Sequence, residues 1–194
     1  MARNKGLSFY EKKKKISKAT IKEILSMIFY IFVAILLAFV IVYSVGMKTS
    51  AIGVSMEPVL YNGQEVLINR LSYRFSSPKR GDIIAFLPNG NQNSHYYLKR
   101  VVGLPGETIQ IVGGYVTIDG VPLEEDEAYD KIADAGIADA EVLLGNDEFF
   151  VLGDNRNNSE DSRSGNIGPV SKKTIAGKVW FHLSCKEDGI GFVK

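Results

Sequence analysis

Ser55 is the one serine in the stretch GVSMEPVL at residues 53–60, just downstream of a long apolar run. A serine hydroxyl is a weak nucleophile until a neighbouring base takes its proton, so Ser55 matters chemically only if the chain supplies that base. The candidates are His95, His182 and Lys99. Histidine is the usual partner. His182 falls in a terminal strand with no acidic residue close in sequence to orient it, and reads as structural. In an extended HYYLKRVV segment side chains alternate, so His95, Tyr97 and Lys99 share one face and Arg100 falls on the other. A lysine is a base only when neutral, against an ordinary pKa near 10.4. Burial among Tyr96, Tyr97, Leu98, Val101 and Val102 would lower that value, because desolvation penalises the ammonium. A shift to about 8 costs on the order of 3 kcal/mol. Residue types alone leave both His95 and Lys99 open. Residues 153–163, GDNRNNSEDSR, follow the apolar EFFVL and are too polar for a core strand. They form an Asx-rich turn or a loop of the kind that carries function when a scaffold positions it. No metal cluster, phosphate loop or dinucleotide fingerprint occurs, so no cofactor and no metal are expected.

These stretches must be held by something. The chain of 194 residues, 45% hydrophobic and 23% charged, has an ordinary globular composition whose average conceals its layout. Residues 24–45 form an uncharged apolar run of 22, long enough as a helix to cross a bilayer core of roughly 30 Å. Residues 1–23 carry a net charge of +6 and the remainder −5. The positive-inside rule then gives a cytoplasmic basic tail (1–23), a transmembrane helix (24–45) and an extracytoplasmic domain (46–194). A cleaved secretory signal is the rival, but its apolar core spans only about 7–15 residues. Past Gly46, short alternating runs such as EVLINRL, GDIIAFLP and TIQIVGGYVTIDG argue strands, with hairpin turns at Gly113-Gly114 and Asp119-Gly120. The fold class is mostly β: one transmembrane helix followed by an antiparallel β-sheet domain. Between about 107 and 147 an acidic stretch and an Ala-rich one, the latter a candidate short helix, suggest an inserted subdomain. The single cysteine, Cys185, cannot form an intramolecular disulfide and reads as a small buried hydrophobe.

Taken together the stretches resemble type I signal peptidases of the Gram-positive bacterial kind, membrane-anchored Ser-Lys endopeptidases. SMEPVL is similar to the family's serine box, with Val59 where threonine is usual; GDIIAF resembles its next box, YLKRVVGLPGE its lysine box and GDNRNNSEDSR its late box. The resemblance implies Ser55 as nucleophile, Lys99 as general base and Ser159 as the hydroxyl that orients the lysine. It implies Arg100–Asp154 and Asp161–Arg163 as structural pairs. It further implies an oxyanion hole from the Ser55 N–H and a donor at Gly53, where many Gram-negative members place a serine. Ile52, Val54, Tyr96, Tyr97 and Leu98 would line shallow apolar pockets, with Met56 beneath them. The substrates implied are preprotein signal peptides ending in small residues of the A-x-A type, met at the lipid bilayer beside the secretion translocon, with no nucleic-acid partner.

Rival classes are a self-cleaving regulator with Ser-Lys chemistry, an inactive relative serving as a surface assembly or chaperone factor such as one for pilus formation, and a tethered β binding module. A membrane anchor stands where the regulator would carry a DNA-binding domain, and a scaffold needs none of Ser55, Lys99 and Ser159.

Overall fold

The computed structural model describes residues 17–125, 129–183 and 189–193. The basic run from Arg3 to Lys15 and Cys185 lie outside the described residues. Helix α1 (Lys18–Val45, 28 residues) is longer than the apolar run, because Lys18, Lys22 and Glu23 extend it at its N-terminal end. It is the one described helix long and apolar enough to cross a membrane. Leu25, Phe29, Phe32 and Leu37 on it are exposed. A helix is one of the few structures whose backbone is satisfied within hydrocarbon. The helix and the chain from Val45 onward are two separate units.

Among the described residues the second unit has twelve strands: β1 (Gly46–Ser50), β2 (Glu65–Asn69), β3 (Ile83–Phe86), β4 (Tyr97–Gly103), β5 (Thr108–Val112), β6 (Tyr115–Ile118), β7 (Val121–Pro122), β8 (Val142–Leu143), β9 (Glu148–Leu152), β10 (Val170–Ser171), β11 (Ile175–His182) and β12 (Gly191–Phe192). All pairings are antiparallel. The main sheet runs β1-β2-β11-β3-β4-β9-β10, with β12 on β11; a second, four-stranded sheet runs β7-β6-β5-β8. The mostly β architecture with one N-terminal apolar helix is the one expected from the alternating runs.

Alternation decides the packing. In β3, Ile83 and Ala85 join Ala51, Met56, Leu60, Val66, Ile68 and Leu98 in one core, while Ile84 and Phe86 join Val101, Phe149 and Val151 in another. Strand β3 is therefore buried on both faces, which suits a short, wholly apolar run. A third core joins Ile109, Ile111 and Val116 of the small sheet to Phe150 and Leu152 of β9, so residues 107–147 are welded to the main sheet. Gly113 and Gly114 turn β5 into β6 with φ of 61° and 86°, and Asp119 and Gly120 turn β6 into β7 with φ of 50° and 78°. Both turns sit where the sequence placed them. The Ala-rich stretch forms a single 3₁₀ turn (Gly136–Asp139) where a short helix was the candidate. Gly136 adopts a φ of 55°, outside the helical region, because its Cα lies against the Arg163 carbonyl.

Candidate active site

Ser55 opens a turn between β1 and β2, and hydrogen bonds fix the segment before it from two sides. The Ala51 N–H donates to the Gln64 carbonyl at 2.8 Å, and the Ala51 carbonyl accepts from the Gly63 N–H at 2.8 Å. The Gly53 N–H donates to Asn62 Oδ1 at 2.9 Å. From the other side Asn155 donates its Nδ2 to the Val54 carbonyl at 3.2 Å and its backbone N–H to the Ser55 carbonyl at 3.0 Å. Met56 is buried below, in the core and at the floor of the groove.

Lys99 reaches Ser55 from β4, where it pairs in register with Ile84. Its Nζ lies 2.6 Å from Ser55 Oγ. The residue is 4% exposed. Burial lowers its pKa to about 8, against an opposing pull from Asp161, Glu160 and Asp154, while Arg163 adds to the lowering. At that value about a tenth of the amine is neutral at pH 7, and half at pH 8, with a lone pair able to accept the serine proton. Tyr97 and His95 stack with ring centroids 5.3 Å apart, and Lys99 Nζ lies 5.7 Å from the Tyr97 centroid, so the three share a face as the alternation required. His95 lines the same groove, but the hydrogen bond to Ser55 comes from Lys99.

The groove encloses about 190 Å³. Ile52, Val54, Tyr96, Tyr97 and Leu98, the expected pocket residues, all line it beside Ser55, Lys99, Asn158 and Glu160. Ile52 and Val54 are exposed apolar side chains, 58% and 44%, an arrangement that favours covering by an extended apolar chain.

Residues 153–163 are a braced loop. Asp154 takes Arg100 in a two-pronged pair, Nε–Oδ1 and Nη2–Oδ2 both at 2.7 Å, with Arg100 Nη1 donating to the Gly81 carbonyl at 2.8 Å. Asp161 takes Arg163 likewise, at 2.8 and 2.9 Å, and also accepts the Gly153 N–H at 3.0 Å. Such forks fix geometry as well as charge. Gly153 has no room for a side chain: a Cβ there would sit 2.2 Å from Ser159 Oγ and 2.5 Å from the Ser55 carbonyl.

Two expectations change in detail. Gly53 cannot donate to an oxyanion in this arrangement, because Asn62 accepts its N–H. Its φ of 82° turns the backbone toward Asn62. The Ser55 N–H, by contrast, has no partner among the described residues and remains available as a donor. Ser159 Oγ is buried without a hydrogen-bond partner and makes no bond to Lys99 here; it packs over Gly153 instead.

Several contributors escaped the sequence reading. Asn62 and Asn155 hold the nucleophile segment. Arg156 forms a fork with Glu125, at 2.6 and 2.7 Å, and stacks over the Tyr129 ring at 4.1 Å. Asn155 and Arg156 lie in a loop already singled out, but Glu125 sits 31 positions away in the acidic stretch, with nothing local to mark it.

A family model described as "Signal peptidase, peptidase S26" matches residues 24–183. The chain is 42% identical over 130 residues to signal peptidase I of Leptolyngbya laminosa, covering 64% of this chain and 62% of that one. It is 32% identical over 177 residues to signal peptidase I S of Bacillus subtilis (strain 168), covering 86% and 91%. The chain thus spans less than two thirds of the cyanobacterial relative and nearly all of the Bacillus one. A solved signal peptidase I from Enterococcus faecalis V583 is similar at 30% identity, over 52% of this chain and 95% of that one, with a TM-score of 0.40.

Proposed function

The chain belongs to the signal peptidase family, peptidase S26, and on that premise we propose that it is a membrane-anchored serine endopeptidase that removes N-terminal signal peptides after small residues, using Ser55 and Lys99. The observation that carries the reading is the 2.6 Å contact between a buried Lys99 Nζ and Ser55 Oγ. Neutral Lys99 takes the hydroxyl proton as Oγ attacks the scissile carbonyl, and the Ser55 N–H faces the developing oxyanion. The resulting ammonium returns the proton to the leaving amine as the C–N bond breaks. Lys99, neutral again, then takes a proton from the attacking water and passes it to Oγ as the acyl–Oγ bond breaks, which restores the serine hydroxyl and the neutral amine.

The other roles follow from their places. Ile52, Val54, Tyr96, Tyr97 and Leu98 receive the small residues before the cut along an extended chain. Arg100–Asp154 and Asp161–Arg163 hold the late loop under the dyad. Ser159, which packs over Gly153 beneath the Ser55 carbonyl, would orient the lysine through its unpartnered hydroxyl. The helix anchors the chain with its N-terminus in the cytoplasm and the β domain outside, where preproteins emerge from the translocon.

Purified full-length chain in detergent, given one preprotein with an A-x-A site, should release the mature protein cut after the last small residue. Ser55→Ala should abolish release while leaving the circular dichroism spectrum unchanged. Intact preprotein with wild-type chain, or cleavage that survives Ser55→Ala, would refute the assignment.

A further inference from the structure

We propose that Glu160 is a specificity-determining residue, favouring a cationic side chain among the first residues after the scissile bond; the inference deepens the peptidase reading and rests on it. Two charged side chains line the groove, Lys99 and Glu160. Lys99 is buried and engaged with Ser55, whereas Glu160 is exposed at the rim. The Tyr97 hydroxyl donates to Glu160 Oε2 over a long 3.4 Å, and Oε1 has no partner among the described residues. The arginines of the late loop do not neutralise it: Arg163 is spent on Asp161, and Arg156 on Glu125. The remaining polar lining near it, Asn158 and His95, leaves the carboxylate as the rim's one full negative charge.

Position follows from the elements. The apolar part of the groove is made by residues 52–54 and 96–98. The late loop reaches the nucleophile itself, through the Asn155 N–H on the Ser55 carbonyl and Gly153 against the same carbonyl. With the small residues before the cut in the apolar part, the chain leaving Ser55 is assigned the polar part, Asn158 and Glu160. A lysine or arginine there meets a carboxylate that forms no ion pair among the described residues, and a glutamate meets repulsion.

The test uses full-length chain in detergent and three peptides with one A-x-A site, carrying lysine, glutamine or glutamate at the first residue after the cut, with a second set varied at the next residue. In at least one set wild type should cleave in the order Lys, Gln, Glu, with about fivefold in kcat/KM between successive members, equivalent to about 1 kcal/mol each. The preference should shrink in about 0.5 M salt. Glu160→Gln should bring the lysine-to-glutamate ratio close to one, and Glu160→Lys should invert it. Within one variant Lys99 is common to all peptides, so the ratio is insensitive to any change in the lysine's own titration. Equal rates for all peptides in wild type, or a preference that survives Glu160→Gln, overturn the inference and leave the peptidase reading standing. No cleavage of any peptide, or cleavage that survives Ser55→Ala, overturns the reading and the inference with it.

Discussion

At Lys99 two demands oppose each other. The amine must be dry enough to lose its proton near neutral pH, and a dry ammonium weakens the fold. With the folded pKa near 8 and an unfolded value of 10.5, the unfolded chain holds more protons between the two, so stability rises with pH across that window. Below pH 8 the cost stands in full, about 3 kcal/mol. Lys99→Met should therefore raise the melting temperature at pH 7 while abolishing activity, by about 1–3 kcal/mol once the lost serine contact is deducted, and the gain should fade toward pH 10.5. A pH-independent gain, measured by thermal melts at pH 7 and 10, would count against a charged buried lysine. Catalysis has the complementary profile: kcat/KM should climb with pH along a limb centred near 8. A histidine base would centre it near 6.5. Lys99→Arg should be as inactive as Lys99→Ala, because a guanidinium stays protonated, while His95→Ala should retain most of its turnover.

The late loop is held by elements distant in sequence. Asp154→Ala would strand Arg100, whose two prongs it fills, and should cost about 3 kcal/mol in stability together with activity; an unchanged melting temperature with lost activity would make Asp154 a participant in the chemistry. The segment between β7 and β8 braces the loop too, through the Ile137 N–H on the Arg163 carbonyl at 2.9 Å and the Ala133 N–H on Asn157 Oδ1 at 2.9 Å. Gly136→Ala, with a Cβ 2.2 Å from the Arg163 carbonyl and a positive φ, should cost roughly 2–3 kcal/mol and lower kcat, read by melting and single-turnover rates. Strands and the face shared by His95, Tyr97 and Lys99 were legible in the sequence because alternation is a local rule. The partners of Gly53 and Arg156 were not, since Asn62 and Glu125 are chosen by how loops meet in space. The Ala-rich stretch misled because propensity favoured a helix and contact with Arg163 imposed one tight turn.

Taken whole, the chain is an apolar helix joined to a β domain with opposite charge balance on either side of the apolar run. Protease added to intact protoplasts should digest the part from Gly46 onward and spare the basic tail; a protected β domain would reverse the proposed orientation and remove the route to emerging preproteins. The same chain also carries an uneven tolerance for change. Asn158 projects from the late loop into solvent and leaves room for drift. Position 153 has none, because the space a Cβ would need is filled by Ser159 and by the carbonyl of Ser55 itself. Every base change that alters a glycine codon's meaning adds a side chain or ends translation, so for a population diversifying this loop codon 153 is a locked site, and adaptation of the enzyme to new cargo must route around it.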